Sequence, residues 1–327
     1  MMMQKEKYNE KLKKIAQILD RNQKILLTTH KRPDGDAFGS TLALQFYLKS
    51  QGKKVDIVYF EEIDSNFKFL PGLGTLDYEW KGDLDYDLFV VCDASCLIRT
   101  GLPKDLESEI SKTAEEKLVF IDHHPKDSGT ECLFSLSVEE AATCKIIYDF
   151  FVLNQIAIDK NIATCLLTGI FTDTGGFLHA NTTSQIMRAA SNLMKKGAVL
   201  STIARRTYFN KTYKTIKIWG KALERTKLNK KKRLAYSYIT LKDLEACNAK
   251  IEDLSGVTNV LGALDEISYS LFLAQTSKDK IKASLRSEAY KKCNVSKIAK
   301  KFNGGGHPLA SGFEIKGKID PKSGILI

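Results

Sequence analysis

The chain has 327 residues, is 43% hydrophobic and 27% charged, and carries a net charge of +11; this is the composition of a soluble globular protein long enough for two domains. Its Lys-rich opening lacks the apolar core of a signal peptide, and no long uncharged apolar run follows. A cytoplasmic protein without membrane association is therefore expected. Seven scattered cysteines without a CxxC pair favour reduced thiols over a disulfide framework or a cysteine zinc site.

In chain order, residues 24–29 read as a buried strand. The turn Arg32-Pro33-Asp34-Gly35 and a helix over 37–51 follow it. Strands are expected at 55–60, 87–92 and 117–121, and helices at 139–153 and 161–170. Strands alternating with helices imply an α/β unit, a parallel sheet with helices on both faces. A basic helical stretch runs from 183 to about 225. Beyond it, strands at 233–240, 267–275 and 280–286, a short helix at 295–301 and the loop Asn303-Gly304-Gly305-Gly306-His307 describe a smaller α+β domain. The expected division is 1–195, a helical linker over 196–215, and 216–327. Charge follows it: residues 1–200 carry 24 Lys and Arg against 28 Asp and Glu, while residues 201–327 carry 26 against 11. An acidic half concentrates metal cations and a basic half attracts phosphate.

Three apolar strands end in carboxylates or imidazoles. The first ends at His30 and leads into Asp34 and Asp36, the next ends at Asp93, and another at Asp122-His123-His124. Parallel α/β sheets bind ligands at the carboxyl ends of their strands. Asp173 closes a further apolar segment and precedes Thr174-Gly175-Gly176. All five histidines, His30, His123, His124, His179 and His307, lie in or beside these clusters. Carboxylate and imidazole donors without thiolate suit Mn²⁺, with Mg²⁺, Co²⁺ or Fe²⁺ as substitutes. The set exceeds the needs of one ion. Two ions ~3.5–4 Å apart, bridged by one Asp, would serve phosphoryl transfer. In the second half, three consecutive glycines let backbone N–H groups approach an anion, and Arg286 and His307 are candidate phosphate contacts.

The stretch from Thr29 to Ser40, with Val91-Cys92-Asp93, Asp122-His123-His124 and Thr172-Asp173-Thr174-Gly175-Gly176, resembles the four motifs of the DHH phosphoesterase family. Gly304-Gly305-Gly306-His307-Pro308-Leu309-Ala310-Ser311-Gly312 resembles the glycine-rich signature of the DHH-associated C-terminal domain. Length and layout are similar to the oligoribonuclease (nanoRNase) and 3′-phosphoadenosine-5′-phosphate phosphatase subfamily. The resemblance implies that His30, Asp34 and Asp93 ligate one ion and that Asp36, Asp93, His123 and Asp173 ligate another. It places His124 at the scissile phosphate or as acid, with Arg99 beside it. Arg286, His307 and Gly304, Gly305 and Gly306 would hold substrate. Two departures bear on substrate preference: Asn303 stands where relatives often have glycine, and Leu178-His179 where they often have a basic residue and a serine.

The implied activity is metal-dependent hydrolysis of short single-stranded RNA to nucleoside 5′-monophosphates, with phosphoadenosine phosphate as a second substrate. Linear or cyclic dinucleotides (pApA, pGpG, cyclic di-AMP) are the alternative within the enzyme class. A non-catalytic nucleic-acid-binding protein is the alternative outside it, and a homodimer is left open. Phe177, Tyr208 and Tyr213 are candidate base-stacking residues, although packing in the core explains each of them more simply.

Overall fold

The apolar runs of the first half become a five-stranded, all-parallel sheet in a computed structural model that describes residues 2–60, 63–75, 85–124 and 131–320. The chain divides into two units, Met1–Asn210 and Lys211–Ile327.

The first unit runs α1 (Met2–Arg21), β1 (Lys24–Thr28), α2 (Gly35–Ser50), β2 (Lys54–Ile57), β3 (Leu88–Cys92), α3 (Lys104–Lys112), α4 (Ala114–Lys117) and β4 (Leu118–Asp122). It continues with β5 (Phe134–Ser137), α5 (Thr143–Leu153), α6 (Lys160–Asp173), α7 (Ser184–Lys195) and α8 (Leu200–Thr207). The strand order is β2-β1-β3-β4-β5, and every pairing is parallel. Successive side chains of a strand point to opposite faces. Ile25, Leu27, Val90, Val119 and Ile121 therefore pack against α1, α2 and α5 to α8. Leu26, Phe89, Val91, Leu118 and Phe120 meet Leu106 and Ile110 of α3 on the other side. A sheet covered on both faces needs uninterrupted apolar strands, and all five residues of both β3 and β4 are buried. Strand order reverses between β1 and β3, the place where doubly wound sheets open a ligand crevice.

Helix α2 is buried along nearly its whole length. Gly35 and Gly39, one turn apart, let it press against α6. A Cβ on Gly39 would collide with the Cys165 carbonyl, and one on Gly169 would stand 2.5 Å from Asp36 Oδ1. Backbone contact between these helices brings Asp36 and the last residue of α6, Asp173, to one centre.

The second unit contains α9 (Tyr213–Glu224), β6 (Lys227–Asn229), β7 (Leu234–Ile239), α10 (Leu241–Ala246), α11 (Val257–Gly262), β8 (Tyr269–Ser277), β9 (Lys280–Arg286), α12 (Ser296–Lys300), β10 (Gly305–His307) and β11 (Ala310–Lys316). Its sheet has the order β10-β11-β9-β8-β7-β6, antiparallel except for β7 beside β8. No helix among the described residues is long and apolar enough to cross a membrane.

Several elements differ from the sequence reading. Strand β5 is four residues of Phe-Ser-Leu-Ser, too short and too polar to register as a strand. The helix expected from 139 starts only at Thr143, because Ala142 is extended. The glycine loop is partly a strand, β10, whose hydrogen bonds come from β11, and glycine carries no strand signal of its own.

Gly39→Ala is expected to destabilise the fold by about 1–3 kcal/mol, read from the denaturant midpoint. Gly220→Ala is the control. It lies within α9 with nothing within 4 Å of a built Cβ, so it should stabilise by about 0.5–1 kcal/mol.

Candidate metal centre

Each candidate side chain of the first unit is delivered by an element end. His30 follows β1, Asp34 is the N-cap of α2 and Asp36 lies in its first turn. Asp93 follows β3, and His123 and His124 follow β4. Asp173 ends α6. His30 Nδ1 lies 2.8 Å from the Lys31 carbonyl, and His123 Nδ1 lies 3.1 Å from the Glu140 carbonyl. A carbonyl can only accept, so in the neutral ring it holds the proton on Nδ1 and leaves Nε2 as the nitrogen that can ligate a cation. His30 Nε2 then stands 3.4 Å from Asp93 Oδ2 and 4.0 Å from Asp34 Oδ1. His123 Nε2 stands 3.4 Å from Asp93 Oδ1 and 3.3 Å from Asp173 Oδ2. The two Asp93 oxygens thus face different partners. The donor atoms gather into three overlapping groups: His30 with Asp34 and Asp93, Asp36 with His123 and Asp173, and Asp93 with His123 and His124. Asp93 holds a left-handed backbone, φ 58°, a conformation costly outside glycine that marks functional turns.

The carboxylates are held before any cation arrives. Asp34 Oδ1 accepts from the N–H groups of Asp36 and Ala37, at 2.9 and 3.1 Å. Asp36 accepts from the N–H groups of Thr143 (2.6 Å) and Cys144 (2.8 Å) at the start of α5, where a helix favours an anion. His124 Nδ1 bonds the buried Asp122 Oδ1 at 2.8 Å, which leaves Nε2 as its outward nitrogen. Arg99 is exposed on the turn after β3, and its charge opposes protonation of His124.

Burial, with the charge of Asp93, pushes the Asp36 carboxyl up to about 7. Burial, with the charges of Asp36, Asp34 and Asp93, holds Asp173 well above the carboxylate range. Burial works against the His30 imidazolium, but hydrogen bonding to Asp93 and its charge outweigh it and raise His30 to about 9. Four crowded carboxylates with two oriented imidazoles are a site short of positive charge. Divalent cations fit this donor set.

His179 belongs to none of the three donor groups. Its ring lies over Gly175, where any Cβ would collide with it. Phe177 and Tyr208 pack on Phe171, each edge-to-face at 5.4 Å, so for these two the core explanation holds. Tyr213 is 83% exposed. The sequence pattern gave no sign of the Glu140 carbonyl, of Thr143, or of Asn181, whose Nδ2 lies 3.3 Å from the carbonyls of both Ala141 and Asp173.

In the second unit, His307 pairs with Ala310 and Ala310 with Arg286. Cross-strand partners share a sheet face, so Arg286 and His307 flank the small Ala310. Arg286 Nε donates to Asn259 Oδ1 at 2.9 Å, and burial lowers the pKa of its guanidinium below the ordinary value. Such a poorly hydrated cation gains from an anionic partner. Gly304 and Gly306 are required by close backbone contacts, while Gly305 has open space around it. Asn303 adopts φ 56°, a conformation that Asn tolerates better than most residues; this accounts for the departure from glycine there.

The DHH family N-terminal domain matches residues 24–170, and the DHHA1 domain matches residues 232–322. The chain carries a DHH domain followed by a DHHA1 domain. It is 29% identical to the bifunctional oligoribonuclease and PAP phosphatase NrnA of Thermus thermophilus, over 95% of this chain and 90% of that protein. It is 27% identical to the Bacillus subtilis protein of the same name, over 89% of each. The crystal structure of an exopolyphosphatase-related protein from Bacteroides fragilis superposes with a TM-score of 0.84 at 26% identity, covering 93% of this chain and 90% of that one.

The raised pKa values of the DHH domain give a pH prediction. In the metal-free protein His30 lies near 9 against an ordinary 6.5, and Asp36 near 7 against 3.8. The metal-free fold therefore holds these protons more tightly than the unfolded chain. The stability they contribute is complete at low pH and is lost as pH rises through about 7 and then about 9. Cation binding must displace these protons and those that the raised Asp34 and Asp173 carboxyls hold, so Mn²⁺ affinity should rise from pH 6 to 9, with fewer protons released as pH rises. Calorimetric titration in buffers of different ionisation enthalpy measures both, and an affinity flat across that interval would contradict the assignment.

Proposed function

We propose that this chain is a phosphoesterase dependent on a pair of divalent cations, Mn²⁺ being best suited to the donors. It hydrolyses short single-stranded oligoribonucleotides to nucleoside 5′-monophosphates and removes the 3′-phosphate of 3′-phosphoadenosine-5′-phosphate. The observation that carries this reading is the double-facing carboxylate of Asp93, with Oδ2 toward His30 and Oδ1 toward His123. Two relatives aligned over most of their length are named for these two activities.

In this reading His30, Asp34 and Asp93 would hold one cation, and Asp36, Asp93, His123 and Asp173 would hold the other. Cations bound there would supply neutralisation of phosphoryl charge and a lowered pKa for water. His124, fixed through Nδ1 by Asp122, presents Nε2 to the phosphate or leaving oxygen. Burial opposes its proton, but bonding to Asp122 and the charges of Asp122 and Asp93 raise its pKa, which suits a proton donor. Arg99 adds an exposed cation beside it. Arg286 and His307 take a substrate phosphate on the sheet of the second unit, next to the backbone of Gly304, Gly305 and Gly306.

The test is a turnover series with end-labelled RNA from dinucleotide to 24-mer, with pApA, pGpG and phosphoadenosine phosphate alongside. The shortest RNAs and phosphoadenosine phosphate should be hydrolysed, with activity lost to chelator and restored by Mn²⁺. Asp93→Ala should lower kcat/KM by on the order of 10²-fold or more. Arg286→Ala should raise KM by about 10-fold or more with kcat little changed, the pattern of lost phosphate binding. Turnover that survives exhaustive chelation would overturn the proposal.

A further inference from the structure

The segment Glu140-Ala141-Ala142-Thr143-Cys144-Lys145 contains none of the proposed ligands, yet it bonds directly to three of them, Asp36, Asp93 and His123. The Glu140 carbonyl orients His123, the N–H groups of Thr143 and Cys144 hold Asp36, and Asn181 links the Ala141 carbonyl to that of Asp173. Lys145, 4% exposed, locks the segment through Glu140 Oε2 at 3.0 Å and Asp149 Oδ2 at 2.6 Å. At its centre the Thr143 hydroxyl, fully buried, donates to Asp93 Oδ1 at 3.1 Å.

We infer that Thr143 is a positioning residue that sets the plane of the Asp93 carboxylate so that one oxygen faces each cation; this rests on the two-cation reading. The terminal torsion of an Asp side chain is broad. Rotation about it would carry both oxygens to one side and end the sharing. A donor fixed on Oδ1 prevents that rotation and leaves Oδ2 toward His30. Threonine suits the task for two reasons. Its branched Cβ makes χ1 stiff. At the first position of α5 it also lacks the carbonyl one turn back that captures threonine hydroxyls deeper in a helix. Valine has the same shape and keeps the N–H that Asp36 needs, so Thr143→Val removes the hydroxyl alone.

The experiment titrates Mn²⁺ into the full chain and into Thr143→Val and Thr143→Ser. It reads affinity by calorimetry and the coupling between the two ions by electron paramagnetic resonance, with circular dichroism confirming the fold. Two Mn²⁺ ions sharing a carboxylate give an exchange-coupled spectrum. The wild type and Thr143→Ser should show it at saturation. Thr143→Val should bind the weaker ion about 10- to 100-fold less tightly and show mainly isolated-ion signals when saturated. A valine protein as tightly bound and as strongly coupled as a coupled wild type would overturn the role of Thr143 alone. Isolated-ion spectra from the saturated wild type would overturn the two-cation reading, and this inference with it.

Discussion

Repulsion among four carboxylates gathered at the carboxyl edge of a parallel sheet is the constraint that the DHH domain is arranged to contain. Asp34 and Asp36 sit at helix N-termini, where backbone N–H groups and the helix dipole favour negative charge. Asp173 has the opposite setting: it is the last residue of α6, at the negative pole of that helix. Burial and the three facing carboxylates hold its carboxyl well above the usual carboxylate range, so its charged form is disfavoured there. A helix that ends by aiming a carboxylate at other carboxylates makes sense when a cation completes the arrangement.

Containing that repulsion depends on packing some distance from the charges. Helices α2 and α6 meet through glycines, so Asp36 and Asp173 are brought together by backbone contact rather than by long flexible side chains. Gly169 serves both purposes, since a methyl group there would press on Cys144 and on Asp36 itself. The core and the chemical centre therefore share atoms, and a change in the interior volume of this unit is felt at its site.

Much of this could be read from the residues, and what could not has a common cause. His30, Asp93 and His123 were legible because each terminates an apolar strand, and the strand periodicity locates its own end. Asp34 and Asp36 followed from the adjoining turn. Asp173 rested on family resemblance, because nothing in the pattern of α6 says which way its end points. Thr143 gave no signal: its bonds reach Asp93 and Asp36, separated from it by 50 and 107 residues, and local periodicity carries no information over such distances. Strand β10 was missed for a related reason, since its hydrogen bonds are supplied by a neighbour and not by its own propensities.

The row formed by His307, Ala310 and Arg286 has a consequence for how this protein can change. Strand spacing, about 4.7–4.9 Å per step, works as a ruler and fixes the separation of the backbone positions from which the two side chains project. Loop mutations leave that distance untouched. A one-residue slip of β11 would be far more drastic, because side chains alternate faces: Ala310 would leave the row and Ser311 or Leu309 would enter it. Insertions in the hairpin joining β10 to β11 are therefore more damaging than most substitutions along either strand. Change along this row is channelled into side-chain replacements at fixed rungs.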